Sequence, residues 1–326
     1  MMKRSAFGFV AAAGLGALAL SAPPARAAVD WGSVPGKDIV LFYPGQSSYE
    51  WALTESEMSG AKSFRTEGKN CDTCHIGEEK DMGPQIVTGQ KRVFKTGEKP
   101  SIEPTPIAGK PGSIPATVKF ANDGTNLLVH IEFKEGTQPD AKQDPATATK
   151  VTVMFIPKAA SEATRTGCWA ACHDDAASMP SAAGANRTKY LPRTHAKLTR
   201  QGGGDALKPD ADLAKLKADG YVLEYWQAKL NPGAPASAVS GTVFDKRQET
   251  APSRASAEAS GSAGNWSVTL SGKMAGGGPI DFQQGGLYQV AIAIHSGHTA
   301  KRFHYVSFER TLAIGSGAAD FVAVKK

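Results

Sequence analysis

Hydrophobic positions along the chain follow two periods. Leu127, Val129, Ile131 and Phe133 alternate with polar residues across Asn126–Lys134, which predicts a half-buried strand. Ala116–Ala121 precedes it, and Asn122-Asp123-Gly124-Thr125 between them carries the turn chemistry of a hairpin. Val151, Val153 and Phe155 mark a strand in Lys150–Pro157. Others are predicted at Asp38–Tyr43, Tyr221–Leu230, Gly241–Asp245, Asn265–Met274, Leu287–His295 and Phe303–Ile314. Helical spacing appears in Ser48–Gly68, through Trp51, Leu53, Met58, Ala61 and Phe64. A shorter helix is expected over Pro209–Ala218, with Pro at its start and Gly220 beyond its end. The Ala-rich stretch Lys158–Pro180 suits a helix or helical loop, and Asn186–Arg200 a short helix. Residues 78–114 read as loop, and Asn231–Gly264, rich in Ala, Ser, Gly and Pro, as surface loops around one short strand.

Many strands with turn signals predict a mainly β chain, a β-sandwich with a small helical insertion near the N-terminus. The expected organisation is a first strand within 28–46, an inserted helical and loop segment over 47–113, and the body of the sandwich over 114–326. Residues 1–27 read as a secretory signal peptide. Lys3 and Arg4 precede the apolar run Ala6–Leu20, and Ala25-Arg26-Ala27 offers a small-residue cleavage site. No later stretch is apolar for long enough to span a bilayer, so a periplasmic protein without a transmembrane segment is expected. The formal charge of +6 falls to +3 once Lys3, Arg4 and Arg26 leave. With no block of basic residues, nothing points to a nucleic-acid partner.

Chemistry concentrates at the four cysteines. Cys71-Asp72-Thr73-Cys74-His75 is a Cys-x-x-Cys-His motif, the signature of c-type haem attachment. Gly167-Cys168-Trp169-Ala170-Ala171-Cys172-His173 repeats the grammar with one extra residue between its cysteines. In each, the two thiols would form thioethers and the histidine, His75 or His173, would bind iron. A zinc site would have to recruit both distant pairs and would leave the two histidines unexplained. A disulfide between Cys168 and Cys172 would close a loop too small to restrain much of the unfolded chain. Two covalent haems c are therefore expected.

The sixth iron positions are less determined. Of the other histidines, His130 lies on a polar strand face and His195 in a basic stretch, so both read as solvent-exposed; His298 sits at a loop tip. His295 ends a strand in phase with Ala291 and Ala293, and His304 is in phase with Val306 and Phe308. A polar ring on an apolar face needs a partner, and the two flank one turn. Met82 and Met179 follow the two motifs closely, while Met58 and Met154 read as packing residues.

Four blocks carry a resemblance: Val151–Phe155, Gly167–Asp175, Ala291–His295 and Phe303–Ser307. They resemble the ethylbenzene dehydrogenase-type haem-binding domain. That family includes haem γ-subunits of periplasmic molybdoenzymes of the dimethyl sulfoxide reductase class and stand-alone c-type cytochromes. The resemblance implies a β-sandwich with haem held in loops at one end. The γ-subunits hold a b-type haem through Met and Lys. This chain has a covalent motif near the Met position and His304 near the Lys position, which implies that His173 and His304 ligate one haem. The Cys71 motif is absent from the γ-subunits and implies the dihaem c-type branch. For the haem at Cys71 the resemblance leaves the sixth ligand open, with His295 the first candidate and Met82 the second.

The expected function is electron transfer, without catalysis of its own, between a quinol-linked membrane cytochrome and a periplasmic oxidoreductase. The rivals are a haem enzyme, peroxidase- or oxidase-like, with one open iron position, and a haem-carrying subunit of a molybdoenzyme. No Gly-x-Ser-x-Gly or His-Glu-x-x-His sequence supports a hydrolase.

Overall fold

Period-two alternation builds the protein's main structural body. In the computed structural model, Leu127, Val129, Ile131 and Phe133 all face one core, together with Val151, Val153 and Phe155. The structure describes residues 29–46, 60–94, 97–99, 101–103, 105–170, 190–197, 206–262 and 264–326. The signal-peptide reading and the first part of the Ser48–Gly68 helix lie outside these residues.

The chain is mainly β. Its strands are β1 (Gly36–Phe42), β2 (Arg92–Phe94), β3 (Gly97–Lys99), β4 (Ser113–Asn122), β5 (Asn126–Lys134), β6 (Thr149–Ile156), β7 (Leu223–Leu230) and β8 (Ser237–Val243). They continue as β9 (Arg247–Thr250), β10 (Ala255–Ser262), β11 (Asn265–Lys273), β12 (Leu287–His295), β13 (Tyr305–Val306), β14 (Arg310–Ile314) and β15 (Phe321–Lys325). Thirteen strands form one sheet; β2 and β3 pair separately. Around its centre the sheet closes on itself, running β4-β1-β13-β12-β14-β15 and back to β4. One wing, β5-β11-β10, extends from β4, and the other, β6-β7-β8-β9, from β12.

Side chains from both wings meet in a single core. Phe155 packs edge-on against Trp226 at 4.7 Å and Phe282 at 4.8 Å, and Val268 and Leu270 of β11 join the same cluster. Each large apolar side chain so buried contributes roughly 1.5–3 kcal/mol. The helices α1 (Ala61–Thr66), α2 (Cys71–His75), α3 (Glu79–Val87), α4 (Ala163–Thr166) and α5 (Asp210–Ala218) are all short. Isolated helices below ~12–15 residues are marginal in water, so packing on the sheet holds them. β1 pairs with β4 along its whole length, and α1, α2 and α3 lie in the excursion between these two neighbours.

Several sequence expectations are corrected. Asn231–Gly264 holds the whole of β8, β9 and β10 rather than one short strand among loops. Its Ala, Ser and Gly residues have weak strand propensity, but pairing of β10 along the full length of β11 overrides it. Phe303–Ile314 is broken in two, because Ser307 turns in to exchange hydrogen bonds with Ile292: Ser307 N–H donates to Ile292 O and Ser307 Oγ accepts from Ile292 N–H, each at 2.9 Å. His130 is 6% exposed, not solvated; Trp31 stacks on it at 4.6 Å and Thr269 Oγ1 lies 2.9 Å from its Nδ1. His195 is likewise buried, in an isolated bridge with Leu207.

Two candidate haem-attachment sites

The first site is built on α2. Asn70 precedes it in extended backbone, and its N–H donates to Thr73 Oγ1 at 3.3 Å. The single helical turn brings Cys71 inward and leaves Cys74 exposed and His75 half-exposed. It ends at Ile76 (φ −60°, ψ 129°) and Gly77 (φ 86°). These are the angles of a type II turn, which needs a positive φ at its third residue and so selects Gly. Glu78 N–H closes the turn on His75 O at 3.0 Å, and α3 begins directly after.

Behind α2 lies an apolar cluster of Phe42, Phe64, Cys71, Ala293, Val306 and Phe308. Met82 and Cys168 pack against it. Phe308 is its centre: its ring lies 5.0 Å from Phe42 and 6.4 Å from the His75 ring, nearly parallel to the latter. Arg310 of β14 ties α2 and α3 to the sheet, reaching Asp72 Oδ2 at 3.8 Å and Glu79 Oε1 at 3.4 Å. Glu309, 2% exposed, faces Asp72; burial chiefly, and then the Asp72 charge, push its carboxyl up to about 9.

The second motif is docked onto the first. Arg165 of α4 lies over the Phe64 ring at 4.2 Å and donates to Phe64 O and Lys69 O, the latter at 2.9 Å. Gly167 (φ 58°) follows, and a Cβ there would stand 3.1 Å from Glu309 N and 3.3 Å from Ala291 Cβ. This close approach seats Cys168 against the cluster that contains Cys71. Trp169, Ala170, Cys172, His173 and Met179 carry no described side chains or lie outside the described residues, so one thioether position and the histidine of this motif are not seen.

Cys168 also lines a cavity of about 450 Å³ with Met154, Tyr225, Val243, Ala293, His295 and His304. Lys150, Arg247 and Lys301 border the same space. The lining is mixed: the thiol, imidazoles and apolar side chains suit the body of a haem, while Asp144 and Glu249 stand beside Lys150 and Arg247. His295 and His304 stack at 4.7 Å, both under 9% exposed. Lys301, in left-handed backbone (φ 58°), turns its carbonyl to both rings: His295 Nε2 lies at 2.9 Å and His304 Nδ1 at 2.8 Å. A carbonyl only accepts, so both nitrogens carry protons, and Nε2 of His304 and Nδ1 of His295 hold the lone pairs.

The structure thus brings His295 and His304 together at the Cys168 cavity and places Met82 at the Cys71 cluster. Sequence reasoning missed Glu78 and Glu309, and placed Phe308 only on the apolar face shared with His304, not at the Cys71 cluster. For Glu78 the local signal was Gly77 one residue before it; for Glu309, and for the packing of Phe308 at Cys71, there was none, because the partners lie far off in the chain. Among the described residues no three His, Cys, Asp or Glu side chains converge as a metal cage, and Cys71, Cys74 and Cys168 are in no disulfide. No described helix is long and apolar enough to cross a membrane.

Burial pushes the Cys168 thiol up to about 12 and that of Cys71 well above its ordinary value. The thiolate is the reactive form. In haem-free folded protein at pH 8, alkylation should therefore label Cys74 at least tenfold faster than Cys71 or Cys168. Mass mapping against time checks this, and equal rates would contradict the burial described.

The chain is 33% identical over 305 residues to cytochrome c-552 of Stutzerimonas stutzeri, covering 93% of this chain and 92% of the relative. It is 27% identical over 300 residues to cytochrome c-551 of Rhodocyclus tenuis, covering 92% of this chain and all of the relative. No family model matches the chain.

Proposed function

Since the chain belongs to the c-type cytochromes, whose haem c is held covalently and supplies a one-electron iron couple, we propose that it is a periplasmic dihaem electron-transfer protein. One haem is attached at Cys71 and Cys74 with His75 on its iron, the other at Cys168 and Cys172 with His173. The observation that carries this reading is the shared cluster. Cys71 and Cys168 pack against the same apolar side chains around Phe308, so two attachment points sit side by side although the motifs are far apart in sequence.

The chain's own residues have definable tasks. Phe42, Phe64, Val306 and Phe308 exclude water between the two attachment points. Lys301 at the cavity rim offers charge to a propionate, while Lys150 and Arg247 are paired with Asp144 and Glu249. The Lys301 carbonyl holds the proton on His304 Nδ1 and turns Nε2 out as the ligating nitrogen, the usual role of a partner behind a metal-bound histidine. His304 would thus supply the second protein ligand to iron at the Cys168 site, with His173 the first. His295 stands with it at that cavity rather than at the Cys71 cluster, so the haem at Cys71 takes Met82, which packs there. Two attachment points packed on one cluster would suit relay between a membrane-linked donor and a periplasmic acceptor. The relation to the ethylbenzene dehydrogenase-type domain rests on the residue blocks quoted above.

A pyridine haemochrome count with the intact mass of the purified protein tests the reading. Two haems per chain are expected. One haem, with Cys168 and Cys172 unmodified by mass, would overturn the dihaem proposal and leave a monohaem cytochrome.

A further inference from the structure

The histidine of a Cys-x-x-Cys-His motif gives one ring nitrogen to iron, and the acceptor at its other nitrogen sets its orientation and basicity. At His75 that acceptor is a side chain. Glu78 Oε2 lies 2.8 Å from His75 Nδ1. The placement is a product of the turn. With Ile76 extended and Gly77 at φ 86°, the chain reverses over His75, and Glu78 N–H bonds His75 O at 3.0 Å. Glu78 therefore grips the histidine twice, at its backbone carbonyl and at its ring. Phe308 lies against the face of the same ring at 6.4 Å. The ring is held on one edge and one face, which leaves Nε2 to point at the metal.

Resting on the reading that His75 binds the iron of a covalent haem, we propose that Glu78 is the positioning and tuning residue of that iron. Its carboxylate accepts the Nδ1–H bond, fixes the tautomer that presents Nε2, and makes the imidazole a stronger donor. A stronger, more anionic donor stabilises the ferric over the ferrous state, so Glu78 lowers the reduction potential of the Cys71 haem. At His304, by contrast, the acceptor is the neutral Lys301 carbonyl. The Glu78 side chain is 56% exposed and that of His75 40%. Water screens a pair so placed, which limits the effect to roughly threefold to tenfold in the ferric-to-ferrous ratio at a fixed potential, tenfold being 59 mV for a one-electron couple.

The test is a spectroelectrochemical titration of holoprotein carrying Glu78→Gln, with EPR of the oxidised form. Gln keeps an acceptor oxygen and removes the charge, and the site is exposed enough to keep the fold. One of the two potentials should rise by that factor and one EPR signal should change its g-values, while the other haem stays as in wild type. Glu78→Asp, which retains the charge, should fall between. If Glu78→Gln binds two haems and leaves both potentials and both signals unchanged, the proposal is wrong and the dihaem reading stands. If haem is absent from Cys71 and Cys74 in wild type, the underlying reading fails first.

Discussion

His304→Ala in the haem-loaded protein is expected to turn half of the ferric EPR signal from low-spin to high-spin. The ring is buried at the Cys168 cavity, and its Nδ1 is committed to Lys301 O, so under the proposed reading Nε2 is the nitrogen offered to iron. Removing it leaves one iron with a single protein ligand, His173. His295 is 4.7 Å away, but its Nε2 points to the same carbonyl, so its ligating nitrogen would be Nδ1, next to the backbone. His295→Ala should accordingly keep both haems low-spin. A His304→Ala protein that remains fully low-spin, alone and combined with His295→Ala, would remove His304 from the iron.

Glu309→Gln is expected to stabilise the protein, and more so as pH rises. Folding lifts this carboxyl from 4.5 to about 9, through burial first and the Asp72 charge second. The native state therefore binds a proton that the unfolded chain releases between these values. Stability contributed by a group that binds more protons in the native state falls as pH rises, by up to ~1.4 kcal/mol per pH unit. The deficit is absent below the unfolded value and on the order of a few kcal/mol by pH 8–9. Gln keeps the shape and has no proton to lose. Denaturant titrations of both proteins should coincide near pH 4–5 and diverge towards pH 9 with the variant ahead. Parallel pH profiles would show that Glu309 keeps an ordinary carboxyl in the fold.

Both predictions concern residues whose neighbours are distant in sequence. His304 was singled out by its phase with Val306 and Phe308, yet its pairing with His295 depends on the Ser296–Phe303 turn and on left-handed backbone at Lys301. Glu309 gave no signal, because the groups beside it, Asp72 of α2 and the closely approaching Gly167, lie far off in the chain. His130 misread as solvated for the same reason: Trp31, near the start of the described chain, covers it.

The sequence by itself determined what is local. It determined the Cys-x-x-Cys-His motif at Cys71–His75, the β4–β5 hairpin with its core face, and the mainly β character, since each is written within a few residues or in a repeating period. It also held the turn that carries Glu78, through Gly77. Only the tertiary structure decided which candidate ligands share a site. It gathered His295 with His304 at Cys168 and Met82 with Cys71, and it packed both cysteines on one cluster around Phe308. Those pairings come from closing a sheet and docking α4 on α1, and such contacts follow from the summed packing of the whole core, which no single stretch of chain encodes.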